Sequence, residues 1–380
     1  MHGKTQEQTD IRKSGAPPFF SIVVPCCNVA EYLPNCMESL LDQKYGDWEC
    51  LLYVEESRDG TLGIAKKHAM GDPRFRVFEG PRTGSCSVPR NRCVEEAHGE
   101  YVVFLDGDDA LVPGSLQRLR DHIAARPGAD IYPCAMQVRN EISGRDEPLR
   151  DVFPPDFDGE LAGPESIRMA YAKNERPCPM LQLSVFRRAF LVENGVRCLP
   201  GLKRQDSDFF PRAFYPACRV VPLHEPLYVY RIRPSSVSTK ANGTGYFHRD
   251  YAGILRSLLA FHSRVSRSPD FDRRLSPLWA KHWLMWITYY WFSPRAIRNA
   301  PRPLRRETLR SVFPDGFGDF DCLDRASTAS RRLAGRFMKL FVRHPRLGWV
   351  ADAFFRFAYF PLSEWSDRVR RLRRAWACRK

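Results

Sequence analysis

The chain has 380 residues, enough to bury a sizeable core as one large domain with an appendage, and 43% hydrophobic with 27% charged residues is the balance of a soluble globular protein. Its longest apolar-looking run, "LWAKHWLMWITYYWF" at 278 to 292, is 15 residues long and contains Lys281 and His282. That is short of the roughly 20 apolar residues a bilayer-spanning helix needs, so no span is expected. Twelve cysteines are scattered without a C-x-x-C pair or a Cys/His cluster of zinc spacing, which argues against a zinc site.

Residues 1–18 are polar, lack the apolar core of a signal peptide and read as a flexible leader, so a cytoplasmic protein with reduced thiols is expected. "FFSIVVP" (19 to 25) is a nearly continuous apolar run, as in a strand covered on both faces. Leu33, Met37, Leu40 and Leu41 then fall at helical spacing within 29 to 43. "WECLLYV" (48 to 54) predicts a second strand, "TLGIAKKHA" (61 to 69) a second helix and "FRVFEG" (75 to 80) a third strand. "SVPRNRCVEEAHG" (87 to 99) predicts a third helix closed by Gly99, and "YVVFLD" (101 to 106) a fourth strand. Alternating strands and helices predict an α/β fold, a mostly parallel sheet with helices on both faces, whose ligands bind at the carboxyl ends of the strands.

At that end of the fourth strand Asp106, Asp108 and Asp109 crowd together, before Pro113 and Gly114 turn the chain into a helix. From 140 the sequence is polar and rich in Pro and Gly, as in a surface excursion or a hairpin, and another α/β piece spans about 165 to 233. From 246 the pattern is helical, interrupted by eight prolines between 269 and 361.

Three carboxylates so close repel, and burying them unpaired is costly or raises their pKa values. At a strand end, carboxylates in a D-x-D pattern are hard oxygen ligands suited to Mg2+ or Mn2+, and such an ion keeps positions open for phosphate oxygens. The alternative is a solvated acidic turn in which Asp109 caps the next helix.

Residues 20 to 120, and again about 178 to 240, resemble the family 2 glycosyltransferases. The resemblance rests on ordered motifs: P-x-x-N after the first strand, an acidic loop after the second, R-N opening a helix, and D-x-D-D. It implies a GT-A fold over residues 19–240 that binds a nucleotide-sugar, with uridine as the expected base and one Mn2+ or Mg2+ bridging the diphosphate. Pro25 and Asn28 then belong to the nucleotide pocket, with Cys27 where the family usually has tyrosine. Glu55 matches the base-binding aspartate of the V-D-D-G-S loop, one methylene longer in a loop one residue shorter. Arg90 matches the arginine beside the nucleotide, Asp106 the ribose-side aspartate and Asp108 the metal ligand.

In "GLKRQDSDFFPRAF" (201 to 214), Asp206 takes the place of the general base in the family's E-D motif, and Gln205 replaces the glutamate. The alternative is that Asp206 or Asp208 only caps a helix. "YVYRIRPSSVST" (228 to 239) matches the stretch that closes the donor site, which puts Arg231, Arg233, Ser236 and Ser238 at the diphosphate. The Q-x-x-R-W motif of processive polymerases is absent, so the resemblance implies inverting transfer of a single sugar.

Residues 281 to 380 carry 22 Lys/Arg against 8 Asp/Glu, and seven of the eight tryptophans fall from 279 onward. Arginine and aromatics at helical spacing are the composition of interfacial helices on anionic lipid. Residues 241–380 are therefore expected to be a helical region holding the enzyme peripherally on the inner membrane face, near a glycan or lipid-linked acceptor. Helices packed on the catalytic domain are the alternative, and no nucleic-acid-binding motif accompanies the charge. Two other readings stay open. A nucleotidyltransferase would share the sheet, although "VVPCCNVAEYL" lacks its Gly-rich loop; a non-catalytic sugar-nucleotide or glycan-binding module is the other.

Overall fold

The computed structural model describes residues 16–173, 180–234, 247–275 and 300–313, with isolated positions among 278–292 and at 338 and 351. The chain divides into two compact units, Met1–Thr239 and Lys240–Lys380.

In the first unit β1 (Phe20–Cys26), β2 (Trp48–Glu55), β3 (Phe75–Gly80) and β4 (Tyr101–Phe104) run parallel in the order β3-β2-β1-β4. Every residue of β1, β2 and β4 is buried, which is why their sequences are apolar runs and do not alternate. Between them lie α1 (Leu33–Leu41), α2 (Thr61–Gly71) and α3 (Ser87–Glu96). Leu33, Cys36, Met37 and Leu40 form the buried stripe of α1, while Leu41 is exposed. Helix α3 ends at Glu96, so Gly99 does not close it. A Cβ on Gly99 would lie 2.6 Å from the Ser21 nitrogen, and glycine is needed there because the backbone lies against β1.

The later chain adds β5 (Ala110–Leu111), α4 (Ser115–Ala125), β6 (Ile131–Asn140), β7 (Arg145–Arg150), α5 (Gly163–Lys173), β8 (Ser184–Arg187), α6 (Arg188–Glu193), α7 (Asp206–Phe214) and β9 (Leu223–Ile232). Strand β8 pairs antiparallel with β4 and with β6, β9 lies parallel to β6, and β5 lies antiparallel to β9. Strands β6 and β7 form a hairpin that turns at 141 to 144, one of the two alternatives left open for this stretch. The connection order switches between β1 and β4, where doubly wound sheets open a crevice. Strand β1 pairs with β4 only as far as Val23, so Pro25 lies beyond that ladder, where its missing N–H costs nothing. The candidate site occupies this crevice.

In the second unit α8 (Phe247–Val265) packs on α9 (Arg302–Val312). Trp279, Trp283 and Trp291 are buried. The His262 ring meets Trp279 and Trp283 edge-on at 5.6 and 5.7 Å, and Trp291 Nε1 donates to Thr308 Oγ1 at 3.1 Å. These aromatic positions, expected at a lipid interface, are core residues of the unit. No helix among the described residues is long and apolar enough to cross a membrane. The basic stretches after residue 330 lie almost wholly outside the described residues, as do Ser236, Ser238, Cys178, Cys322 and Cys378. The nine described cysteines are free thiols.

Candidate active site

The loops after β1 and β2 brace one another. Asn28 has φ of +52°, a left-handed conformation that asparagine tolerates. Its N–H donates to Ser57 Oγ at 3.1 Å and its Oδ1 accepts the Arg58 N–H at 2.8 Å. Asp59 accepts the N–H groups of Ala30 and Thr61 at 3.0 and 3.1 Å. Asn28 thus shapes the pocket by fixing a loop, and its side-chain oxygen is engaged within the protein. Glu55 closes β2, where Oε1 accepts the Thr83 N–H at 3.0 Å and the Thr83 hydroxyl. The loop after β3 therefore holds the acid expected at the base.

The three aspartates offer ligand atoms within 4.8 Å of one another, yet they are not equivalent. Asp109 is 2% exposed and accepts the Tyr228 hydroxyl and, at 2.7 Å, the Arg231 N–H. Burial, then the Asp108 and Asp106 charges, push its pKa well above the usual carboxylate range. It caps no helix, because α4 starts from Gly114, whose φ is +69°. Asp106 receives Arg90 NH2 at 2.5 Å and Gln182 Nε2 at 2.6 Å, while its own N–H donates to the Tyr228 oxygen at 3.2 Å. The Asp108 side chain is 23% exposed, and its Oδ2 receives Arg233 Nε at 2.9 Å and NH2 at 2.7 Å. Burial and the Asp106 charge raise the Asp108 pKa against the opposing pull of Arg233. A Cβ on Gly107 would be tight, 3.2 Å from Cys26 Sγ and 3.3 Å from the Pro25 oxygen. An all-oxygen donor set at a crevice mouth fits Mg2+ or Mn2+, with Asp106 and Asp108 as the accessible carboxylates and Asp109 buried behind them.

Arg231, expected at the diphosphate, is tied to three partners within the protein. Its Nε donates to the Asp108 carbonyl at 3.0 Å, NH1 to Glu141 at 2.7 Å and NH2 to Asn35 Oδ1 at 2.8 Å. It ties α1, the turn after β6 and the aspartate loop to β9, which is a positioning role.

Phe209, in the first turn of α7, packs edge-on against Phe104 at 6.2 Å and Phe186 at 5.5 Å. These rings bring the head of α7 to the end of β4. Asn91 fixes the preceding loop, donating to the Cys198 carbonyl and accepting the Cys198 N–H, both at 2.8 Å. Gln205 is buried; in the amide orientation that satisfies both its ends, Oε1 accepts Arg90 NH1 at 2.5 Å. Arg90 therefore bridges Asp106 and the residue before Asp206. Asp206 stays partly exposed, and desolvation raises its pKa although the Arg90 and Arg204 charges pull the other way. Asp208, by contrast, is fully buried and held by Arg212, whose Nε lies 2.8 Å from Oδ2. Of the two, Asp206 is the carboxylate open to solvent.

Gln182 builds the site without having been singled out in the sequence, Asn91 appears there only within the R-N motif, and Asp109 reads there as an acidic neighbour or a helix cap. Their partners lie 76, 107 and 119 residues away, and only the Y-x-Y-R stretch carrying Tyr228 hinted at one of them.

This architecture is that of a GT-A glycosyltransferase. S. aureus TarS 1–349, solved in complex with UDP-GlcNAc, shares the fold with a TM-score of 0.55 at 17% identity over 87% of this chain and 92% of that one. Residues 21–194 match the family model described as Glycosyl transferase family 2. The uncharacterized glycosyltransferase YibD of Escherichia coli (strain K12) is 30% identical over 266 residues, 67% of this chain and 76% of YibD. The putative teichuronic acid biosynthesis glycosyltransferase TuaG of Bacillus subtilis (strain 168) is 31% identical over 238 residues, 61% of this chain and 88% of TuaG. The chain belongs to glycosyltransferase family 2.

Proposed function

We propose that the protein is a metal-dependent inverting glycosyltransferase that moves one sugar from a UDP-sugar to a glycan or lipid-linked acceptor in surface-polysaccharide synthesis. The Arg90 bridge carries this reading, because it sets a base candidate beside the aspartates at the switch point. Pro25 and Glu55 face the nucleotide base, Asp106 the ribose, and Asp108 would hold Mn2+ or Mg2+. The ion, when bound, would offset the charge on the departing diphosphate. Asp206 takes the proton of the acceptor hydroxyl as its oxygen attacks the anomeric carbon opposite the leaving group, which inverts that centre. Gln205 holds Arg90 without adding a second negative charge beside the base.

The name of TuaG supports the polysaccharide setting, and the UDP-GlcNAc of the TarS complex names the donor to try first. The test is a thermal-shift screen of nucleotide-sugars with and without Mn2+, since a ligand that binds only the folded state raises the melting temperature. One nucleotide-sugar should stabilise the protein in an ion-dependent way; no stabilisation by any of them would overturn the reading. The catalytic work falls to residues 19–240. The cationic excess after residue 281 supports a second role for the remainder, contact with an anionic membrane surface from the cytoplasmic side.

A further inference from the structure

We propose that Thr83 leaves Glu55 with one oxygen to offer the nucleotide base, and so selects uracil against guanine. The inference rests on the reading that Glu55 faces the base, and it names the residue that decides which base fits. The loop after β3 is built around this acid. Glu55 pairs with Gly80 in the β2–β3 ladder, and the Glu56 N–H donates to the Gly80 carbonyl at 2.9 Å. Three residues on, Thr83 donates both its N–H, at 3.0 Å, and its hydroxyl to the same atom, Glu55 Oε1. Gly84 then turns the chain with φ of +79°, and the Ser85 carbonyl lies 3.0 Å from the Thr83 hydroxyl oxygen. Thr83 is held on both sides, and it holds Glu55 in turn.

A carboxylate oxygen has two lone-pair sites, and Thr83 fills both of those on Oε1. Glu55 is 5% exposed, and among the described residues its Oε2 accepts no bond from a nitrogen or a hydroxyl. A buried carboxylate oxygen without a donor is costly, so Oε2 calls for one from a ligand. Burial raises the Cys27 pKa, Arg82 opposes the rise and the Glu55 charge adds to it, which sets the carboxylate beside the loop after β1. The Cys27 thiol is a weak donor and does not fill the place. Uracil brings one N–H between two carbonyl oxygens and needs one acceptor. Guanine brings two adjacent donors, N1–H and the 2-amino group, and grips a carboxylate best when both oxygens are open. With Oε1 spent on Thr83, guanine keeps a donor unpaired and uracil does not.

Calorimetric titration of the full-length protein with UDP and with GDP, each in saturating MnCl2, tests this. Wild type should bind UDP about 30-fold or more tightly than GDP. Thr83→Val keeps the shape and the N–H but removes the hydroxyl, so the preference for UDP should shrink about ten-fold. Thr83→Ser restores the hydroxyl and should hold the preference within about three-fold of wild type. Melting curves establish that each variant is folded, and the wild-type comparison stands without any variant. A wild type that binds GDP as tightly as UDP overturns the selection while leaving nucleotide binding intact. So does an unchanged preference in Thr83→Val, where both nucleotides weaken equally, or a serine variant as unselective as the valine one. Failure of every form to bind either nucleotide overturns the nucleotide-sugar reading and the selection with it.

Discussion

Arg90 and Asp106 meet at 2.5 Å, one from the first turn of α3 and the other just past β4, and the same guanidinium reaches Gln205 at the head of α7. One side chain thus sets the spacing between the aspartate loop after β4 and the helix that carries Asp206. Lysine would keep the charge and lose the fork. We expect Arg90→Lys to lower kcat about ten-fold or more, with a smaller change in donor Kd. Equal losses in both would mean that Arg90 acts on the donor alone.

Asp206 and Asp208, two positions apart, should respond in opposite ways. Asp206→Asn keeps shape and removes basicity, so turnover should fall about 100-fold or more with donor affinity nearly unchanged. Asp208→Asn instead weakens the buried pair with Arg212 and should lower stability by about 3 kcal/mol. Kinetics and denaturant melts on the two variants separate the roles.

The pH–rate profile carries a sign. Asp206 works ionised, so the rate should climb as pH rises through its pKa, which lies above the ordinary 3.8 because of desolvation. The acidic limb should therefore appear above pH 3.8, and Arg204→Gln, by removing a charge that favours ionisation, should move it higher still. A raised folded pKa also means that the ionised form weighs against folding at neutral pH. Asp206→Asn should melt no lower than wild type.

Glu49 has the opposite sign. Burial alone would raise its pKa, but donation from the His98 N–H, the Ser21 hydroxyl and Arg76 holds it below the ordinary 4.5. The stability it contributes is present above its unfolded pKa and is lost as pH falls through the depressed folded value. Glu49→Gln should cost about 1–3 kcal/mol at pH 7, and the gap to wild type should close at the acid end. Thermal melts across pH measure it.

The basic C-terminal stretch predicts a salt signature. Each Lys or Arg near an anionic surface contributes about 1 kcal/mol, and salt screens the effect. Full-length protein should sediment with anionic liposomes at low ionic strength and leave them at high. Indifference to such liposomes at all salt concentrations would point to a soluble acceptor.

The sequence patterns show plainly where local physics decides. Burial on both faces makes β1, β2 and β4 apolar runs, and repulsion makes three clustered aspartates conspicuous wherever they stand. The same patterns are silent on division of labour among those aspartates, because Asp109 is set apart only by Tyr228 and Arg231 from across the sheet. Arg231 and Arg233 look alike in "YRIRP", and nothing in that stretch shows that Arg231 meets Asn35 and Glu141. Gly99 looked like a helix terminator, whereas its constraint is the backbone of β1. The tryptophans of 279–292 have a composition that suits lipid and a core equally well, and burial decides between them.

The side chains and N–H that hold Asp108 and Asp109 come 119 to 125 residues after them in the chain. During synthesis the acidic loop leaves the ribosome long before Tyr228, Arg231 and Arg233 exist, and those groups reach it only once β9 lies between β6 and β5. Donor binding is thus among the later properties that a growing chain acquires. A prematurely terminated polypeptide, even one holding the whole D-x-D-D motif, would leave the cell's pool of activated sugar untouched.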